Sequence, residues 1–88
     1  MYIVFKENGT KHYFNNEGLV HREDGPAMIN MYGKACAKSW WRNGKMHRED
    51  GPALIQTTGR KYWYLEDKII NCDSQQEFER LMKLKAFW

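Results

Sequence analysis

"HREDGPA" occupies His21–Ala27 and returns letter for letter at His47–Ala53 of an 88-residue chain. Four of its seven residues are charged or titratable, so the stretch admits two readings. As chemistry it offers a base in His21 or His47. It also offers metal-holding carboxylates in Glu23 and Asp24 or in Glu49 and Asp50, and an anion-stabilising guanidinium in Arg22 or Arg48. As architecture it is a connection between strands, and three features favour that reading. An enzyme needs one constellation, and here there are two. Consecutive residues of an extended segment point to opposite faces. Gly25-Pro26 and Gly51-Pro52 impose a turn, because glycine accepts unusual dihedrals and proline fixes φ without a donor. On this reading Asp24 and Asp50 accept bonds from turn amides, and Ala27 and Ala53 leave room for a neighbouring ring. His, Arg and Glu then bond the turn of the next unit, so that units stack through a polar ladder.

The two copies mark a tandem repeat. His21 and His47 are 26 positions apart, whereas the aromatic pairs Trp40–Trp41 and Trp63–Tyr64 are 23 apart. "GTKHYFNNEGLV" from Gly9 aligns without a gap on "GRKYWYLEDKII" from Gly59, pairing Lys11 with Lys61 and Tyr13–Phe14 with Trp63–Tyr64. The middle unit carries three extra residues, which fit a longer hairpin end around Tyr32–Ala35. Asn-Gly, Asp-Gly and Thr-Gly steps separate alternating apolar segments, the signature of hairpin turns. Strands are expected at Tyr2–Phe5, Lys11–Asn15, Ala27–Met31, Ala37–Arg42, Ala53–Thr57 and Lys61–Leu65, with short bridges at Leu19–His21, Lys45–His47 and Lys68–Ile70.

The third unit lacks the heptapeptide. In its place "NCDSQQEFERLMKLKAFW" puts Ser74 three residues before Glu77, a capping box, ahead of an apolar stripe at Phe78, Leu81, Met82 and Leu84. The chain is thus expected to be mainly β: an antiparallel meander of stacked β-hairpin repeats with one C-terminal α-helix. It forms a single domain over 1–88, with three repeat units over about 2–73, the third incomplete, and a capping helix over 74–87 that covers the last edge.

Composition excludes little. The net charge of +3 tolerates a nucleic-acid or acidic-protein partner without requiring one. "MYIVFKENGT" has neither the basic leader of a signal peptide nor the length of a membrane span. Cys36 and Cys72 show no ligand spacing, which suits reduced thiols in a cytoplasm; no metal, cofactor or catalytic residue is expected.

The aromatic segments "KSWWRNGK" and "RKYWYLEDK" should each send one ring into the core and leave its neighbour outside or against the helix. Packing accounts for both rings on the plainer reading. On the functional one, Trp41 and Tyr64, or their partners, lie on an outer face beside Lys38, Arg42, Lys45, Arg60 and Lys61, rings for bases and cations for phosphates, as single-stranded RNA or DNA requires.

A paired aromatic, then x-Asn-Gly-Lys-x, then "HREDGPA" resembles the variant MORN-like repeats of small tailed-bacteriophage proteins, in which "W-Y-x-N-G-K-x-H-R-E-D-G-P-A" recurs in tandem. "WWRNGKMHREDGPALI" (Trp40–Ile55) matches almost throughout, "YFNNEGLVHREDGPAMI" (Tyr13–Ile29) with one insertion, and Trp63–Ile70 over the first half only. The resemblance implies a non-enzymatic accessory protein of a phage, acting in the bacterial host cytoplasm. It would bind and inhibit a host defence factor, first of all a toxin endoribonuclease of a toxin–antitoxin system with RNA in the complex. A protein-only inhibitor or assembly factor, using sheet edges or the helix and self-association into a homo-oligomer, is the alternative. A small metal-dependent nuclease built on either heptapeptide ranks last.

Overall fold

A computed structural model describes residues 2–84. Strands β1 (Tyr2–Phe5), β2 (Lys11–Phe14), β3 (Met28–Tyr32), β4 (Ala35–Ser39), β7 (Leu54–Gln56), β8 (Lys61–Leu65) and β9 (Lys68–Ile70) make one antiparallel sheet in the order β1-β2-β3-β4-β7-β8-β9. Strands β5 (Trp41–Arg42) and β6 (Lys45–Met46) form a separate hairpin, and helix α1 (Gln75–Lys83) closes the chain. The protein is mainly β with one C-terminal helix, a slab of 44 × 32 × 18 Å.

The turns explain the hairpins. Gly9, Gly18, Gly33, Gly44 and Gly59 all have positive φ, as do Asn43 at 50° and Glu66 and Asp67 at 49° and 68°. The middle unit's extra residues extend β3 and β4, which pair as far as Tyr32 and Ala35 across a two-residue turn.

The expected strand Ala37–Arg42 is not continuous. It breaks at Trp40, whose N–H goes to Ala53 O (2.8 Å) and whose C=O accepts from His47 N (3.0 Å). Beyond that point the chain exchanges β7 for β6 as its neighbour. Strand β3 begins at Met28 and β7 at Leu54, one residue later than expected in each case. Ser74 is the N-cap of α1, its Oγ accepting from Glu77 N at 3.2 Å, and Leu84 is the C-cap; the expected continuation to residue 87 lies outside the described residues.

Register places the core on one face of the sheet. Continuing each ladder by one residue sets Tyr13, Ala27, Trp40, Ala53 and Trp63 in a single cross-strand row. Rings alternate with alanines, and Ala27 and Ala53 are fully buried. A larger side chain at either alanine would meet a ring on both flanking strands. That is the physical reason the heptapeptide ends in Ala.

Each ring of the row has its own cover. Arg22 lies 4.2 Å over Tyr13, and Arg48 lies 3.9 Å over Trp40. Trp63, whose unit has no heptapeptide, packs instead in a cluster with Leu65 and Phe78 and donates Nε1–H to Gln75 Oε1 at 2.8 Å. Helix α1 therefore occupies the place of a third motif.

Candidate nucleic-acid interface

Both heptapeptides adopt one arrangement. The arginine folds back on its own turn: Arg22 Nε donates to Asp24 Oδ1 (3.0 Å) and Nη1 to Pro26 O (3.2 Å), and Arg48 repeats this with Asp50 (2.9 Å) and Pro52 O (3.1 Å). Stacking to the next unit runs through other atoms. His21 Nδ1 accepts from Asn43 N at 2.9 Å and His47 Nδ1 from Glu66 N at 3.2 Å. Each amide belongs to the first of two positive-φ residues in the following turn. The Arg22 and Arg48 main-chain N–H groups reach Trp41 O and Tyr64 O, both at 3.2 Å.

The expected ladder is thus made by the histidine ring and the arginine backbone. Neither the guanidinium nor the glutamate takes part with its side chain, because both are engaged within their own copy. Glu23 Oε1 stands 3.6 Å from His21 Nε2, and Glu49 Oε1 stands 3.7 Å from His47 Nε2. His47 Nε2 is buried without a hydrogen-bond partner.

The aspartates also differ from expectation, since an arginine, more than a turn amide, is their main partner. The Arg22 hydrogen bond, then its charge, and then Asp24's own backbone amide hold the Asp24 carboxyl below its ordinary range. Arg48 does the same to Asp50, chiefly by its hydrogen bond. A carboxyl depressed by folding contributes stability above its unfolded pKa, and that contribution disappears as pH falls through the folded value. The fold should therefore lose thermal stability as pH falls below about 4. Replacing both residues with Asn should flatten this acid limb in circular-dichroism melts, and an unchanged limb would show the pairs to be energetically silent. Cys72 moves the other way: burial first, then the charges of Glu77 and Asp73, push its thiol up and leave it a poor nucleophile. Among the described residues no three His, Cys, Asp or Glu side chains come together as a metal site.

The sequence-nominated RNA contacts do not form one surface. Lys38 and Lys61 share a face of the sheet, because both lie opposite Ile55 on neighbouring strands. Trp41 is on the other face, its Nε1 donating to Ser39 Oγ at 2.8 Å. Tyr64 and Arg60 alternate with Trp63 and Lys61 along the chain and so turn away from them. Arg42 pairs with Lys45 in the small hairpin, where Lys45 Nζ lies 3.6 Å from Glu66.

What the structure does assemble is a row across six strands. Lys11 is opposite Ile29, Ile29 opposite Lys38, Lys38 opposite Ile55, and Ile55 opposite Lys61, with Phe5 of β1 at its head. Lysines therefore recur every second strand, about 9.5 Å apart, on the face that carries the ring row. None of the three is ion-paired among the described residues; Lys11 Nζ sits 5.7 Å from the Phe5 ring. The signal was present in the sequence as Lys-x-ring-ring, repeated at Lys11–Phe14, Lys38–Trp41 and Lys61–Tyr64.

Comparison of the chain with family models, with curated proteins and with solved structures gives no match. Among the described residues no helix is long and apolar enough to cross a membrane.

Proposed function

We propose that this chain is a non-enzymatic binding module whose lysine-bearing face holds single-stranded RNA. The observation that carries the reading is the Lys11–Lys38–Lys61 row: three cations without acidic partners, held in register by the ladder and separated by apolar residues. Extended polyanions are bound by such cations, and each phosphate contact releases counterions and adds to the salt dependence of binding. The motif histidines spend Nδ1 on the next turn and the aspartates are tied to arginines, so the heptapeptides serve as joints. The resemblance to phage repeat proteins extends the proposal to a role. The module inhibits a host defence factor in the bacterial cytoplasm, with a toxin endoribonuclease as first candidate and RNA shared in the complex.

The test is an RNA titration over a salt series with the wild type and with Lys11, Lys38 and Lys61 all changed to Gln. Single-stranded RNA should bind with a clear salt slope, and the variant should lose about 2 from the slope of log K against log salt, roughly 0.7 for each lost contact. The same slope in both proteins, or no binding at all, removes the RNA reading. A protein-only mode draws support from a different feature, the exposed apolar strand β1.

A further inference from the structure

Strand β1 is one edge of the sheet, and all four of its residues are exposed: Tyr2 by 50%, Ile3 and Val4 by 41%, Phe5 by 64%. Its backbone polarity can be read from β2. Tyr13 gives its N–H to Ala27 O and accepts from His21 N, so its backbone turns away from β1. Successive strand residues turn opposite ways, which directs His12 and Phe14 towards their β1 partners Val4 and Tyr2. The N–H and C=O groups of Ile3 and Phe5 therefore face outward. Edge strands are ordinarily blunted by charge, proline or a bulge. Tyr2–Phe5 contains no charge and no proline, and its pairing with β2 advances residue for residue without a bulge. The sheet's other edge, β9, carries Lys68.

We propose that β1 pairs antiparallel with β1 of a second copy, about a two-fold axis at Val4. In that register Ile3 lies opposite Phe5 of the second copy and Phe5 opposite its Ile3. The four outward donors and acceptors on each side are then matched in the hydrogen-bonded positions. Side chains match as well. Ile3 and Phe5 meet their counterparts on one face and Val4 meets Val4 on the other. The first charged residue, Lys6, falls opposite Tyr2, so no like charges are opposed across the strand pair, although each copy carries a net charge of +3. A strand with apolar residues on both faces and no charge at its centre complements itself better than it complements a charged partner. Two-fold pairing keeps like faces on the same side, which carries the sheet through both copies. Four residues a side bury less than the about 1,200 Å² of a durable interface, so the dimer is expected to be weak, micromolar or weaker.

Sedimentation over a concentration series tests this without any ligand. Wild type should show reversible dimerisation. Val4→Lys and Val4→Glu should each weaken it at least about tenfold, because like charges then face each other at the axis. An equimolar mixture of the two variants should recover it. Amide exchange gives a second reading on the unmodified chain: Ile3 and Phe5 should gain protection as concentration rises, whereas Val4, already bonded to β2, should not. A strict monomer at about millimolar concentration, a dimer indifferent to both substitutions, or a mixture that stays monomeric overturns the proposal. None of these outcomes bears on RNA binding to the lysine row.

Discussion

Phe78→Ala is expected to destabilise the protein by about 3–5 kcal/mol, the largest effect of any single substitution considered. Phe78 is the largest fully buried side chain among the described residues, and it closes a cluster with Trp63 and Leu65 on which Ile70, Cys72 and Met82 also pack. The helix that carries it has nine residues, fewer than the roughly 12–15 at which an isolated helix becomes even marginal in water. Its stability therefore comes from this contact. Without the ring, α1 should fray, and with it go the Trp63–Gln75 hydrogen bond and the 3.2 Å bond from Gln75 Nε2 to Glu49 O in the second heptapeptide. A domain of this size has only about 5–15 kcal/mol in total. Urea denaturation should show a midpoint well below that of the wild type, and amide exchange should quicken in β8, β9 and the second motif. If only the helical signal falls while β8 keeps its protection, α1 is an appendage rather than the sheet's end cap.

The hairpin scaffold was largely legible because turn chemistry is local. Glycines at positive φ and an Asn-Gly or Asp-like pair between apolar segments specify where strands reverse, and β1, β8 and β9 span the residues the sequence indicates. The Ser74 cap is equally local. What could not be read were relations across strands. The break at Trp40 depends on two main-chain bonds to Ala53 and His47, residues seven or more positions away. Alternation turns Trp41 and Tyr64 away from Lys38 and Lys61 and leaves their partner rings Trp40 and Trp63 on the lysine face. The lysine row needed register as well. Lys11, Lys38 and Lys61 are unevenly spaced in the chain, and only the ladder aligns them on one line of the sheet. Arginine's part was hidden for another reason. Arg22 and Arg48 look like free charges in the sequence, yet each is drawn back by an aspartate two residues on and sits over a ring that its own unit supplied.

The same arginines explain the glycine of the motif, and here expectation and structure part. Neither Gly25 nor Gly51 has positive φ, so the turn does not require glycine for its dihedrals. It requires the space. A Cβ on Gly51 would stand 2.6 Å from Arg48 Cζ and 2.9 Å from both Nη atoms; on Gly25 it would stand 3.0 Å from Arg22 Cζ. The guanidinium is sandwiched between a bare backbone and an aromatic ring. Gly51→Ala should therefore drive Arg48 off Trp40, costing a cation–π contact and two charge-assisted hydrogen bonds, about 1–3 kcal/mol in all. Gly25→Ala, with the wider gap, should cost less. An Arg48→Ala background separates crowding from backbone strain. With the guanidinium gone, Gly51→Ala has nothing to displace, and it should be neutral or even stabilise by up to about 1 kcal/mol through the reduced freedom of the unfolded chain. A cost that persists in that background would place the strain in the backbone and return the glycine to its role as a hinge. Loss of the cost would show that the duplicated heptapeptide is built around its arginine, a cation the fold uses to cover its own rings, which leaves the lysine row as the part of this face free to meet an anion from outside.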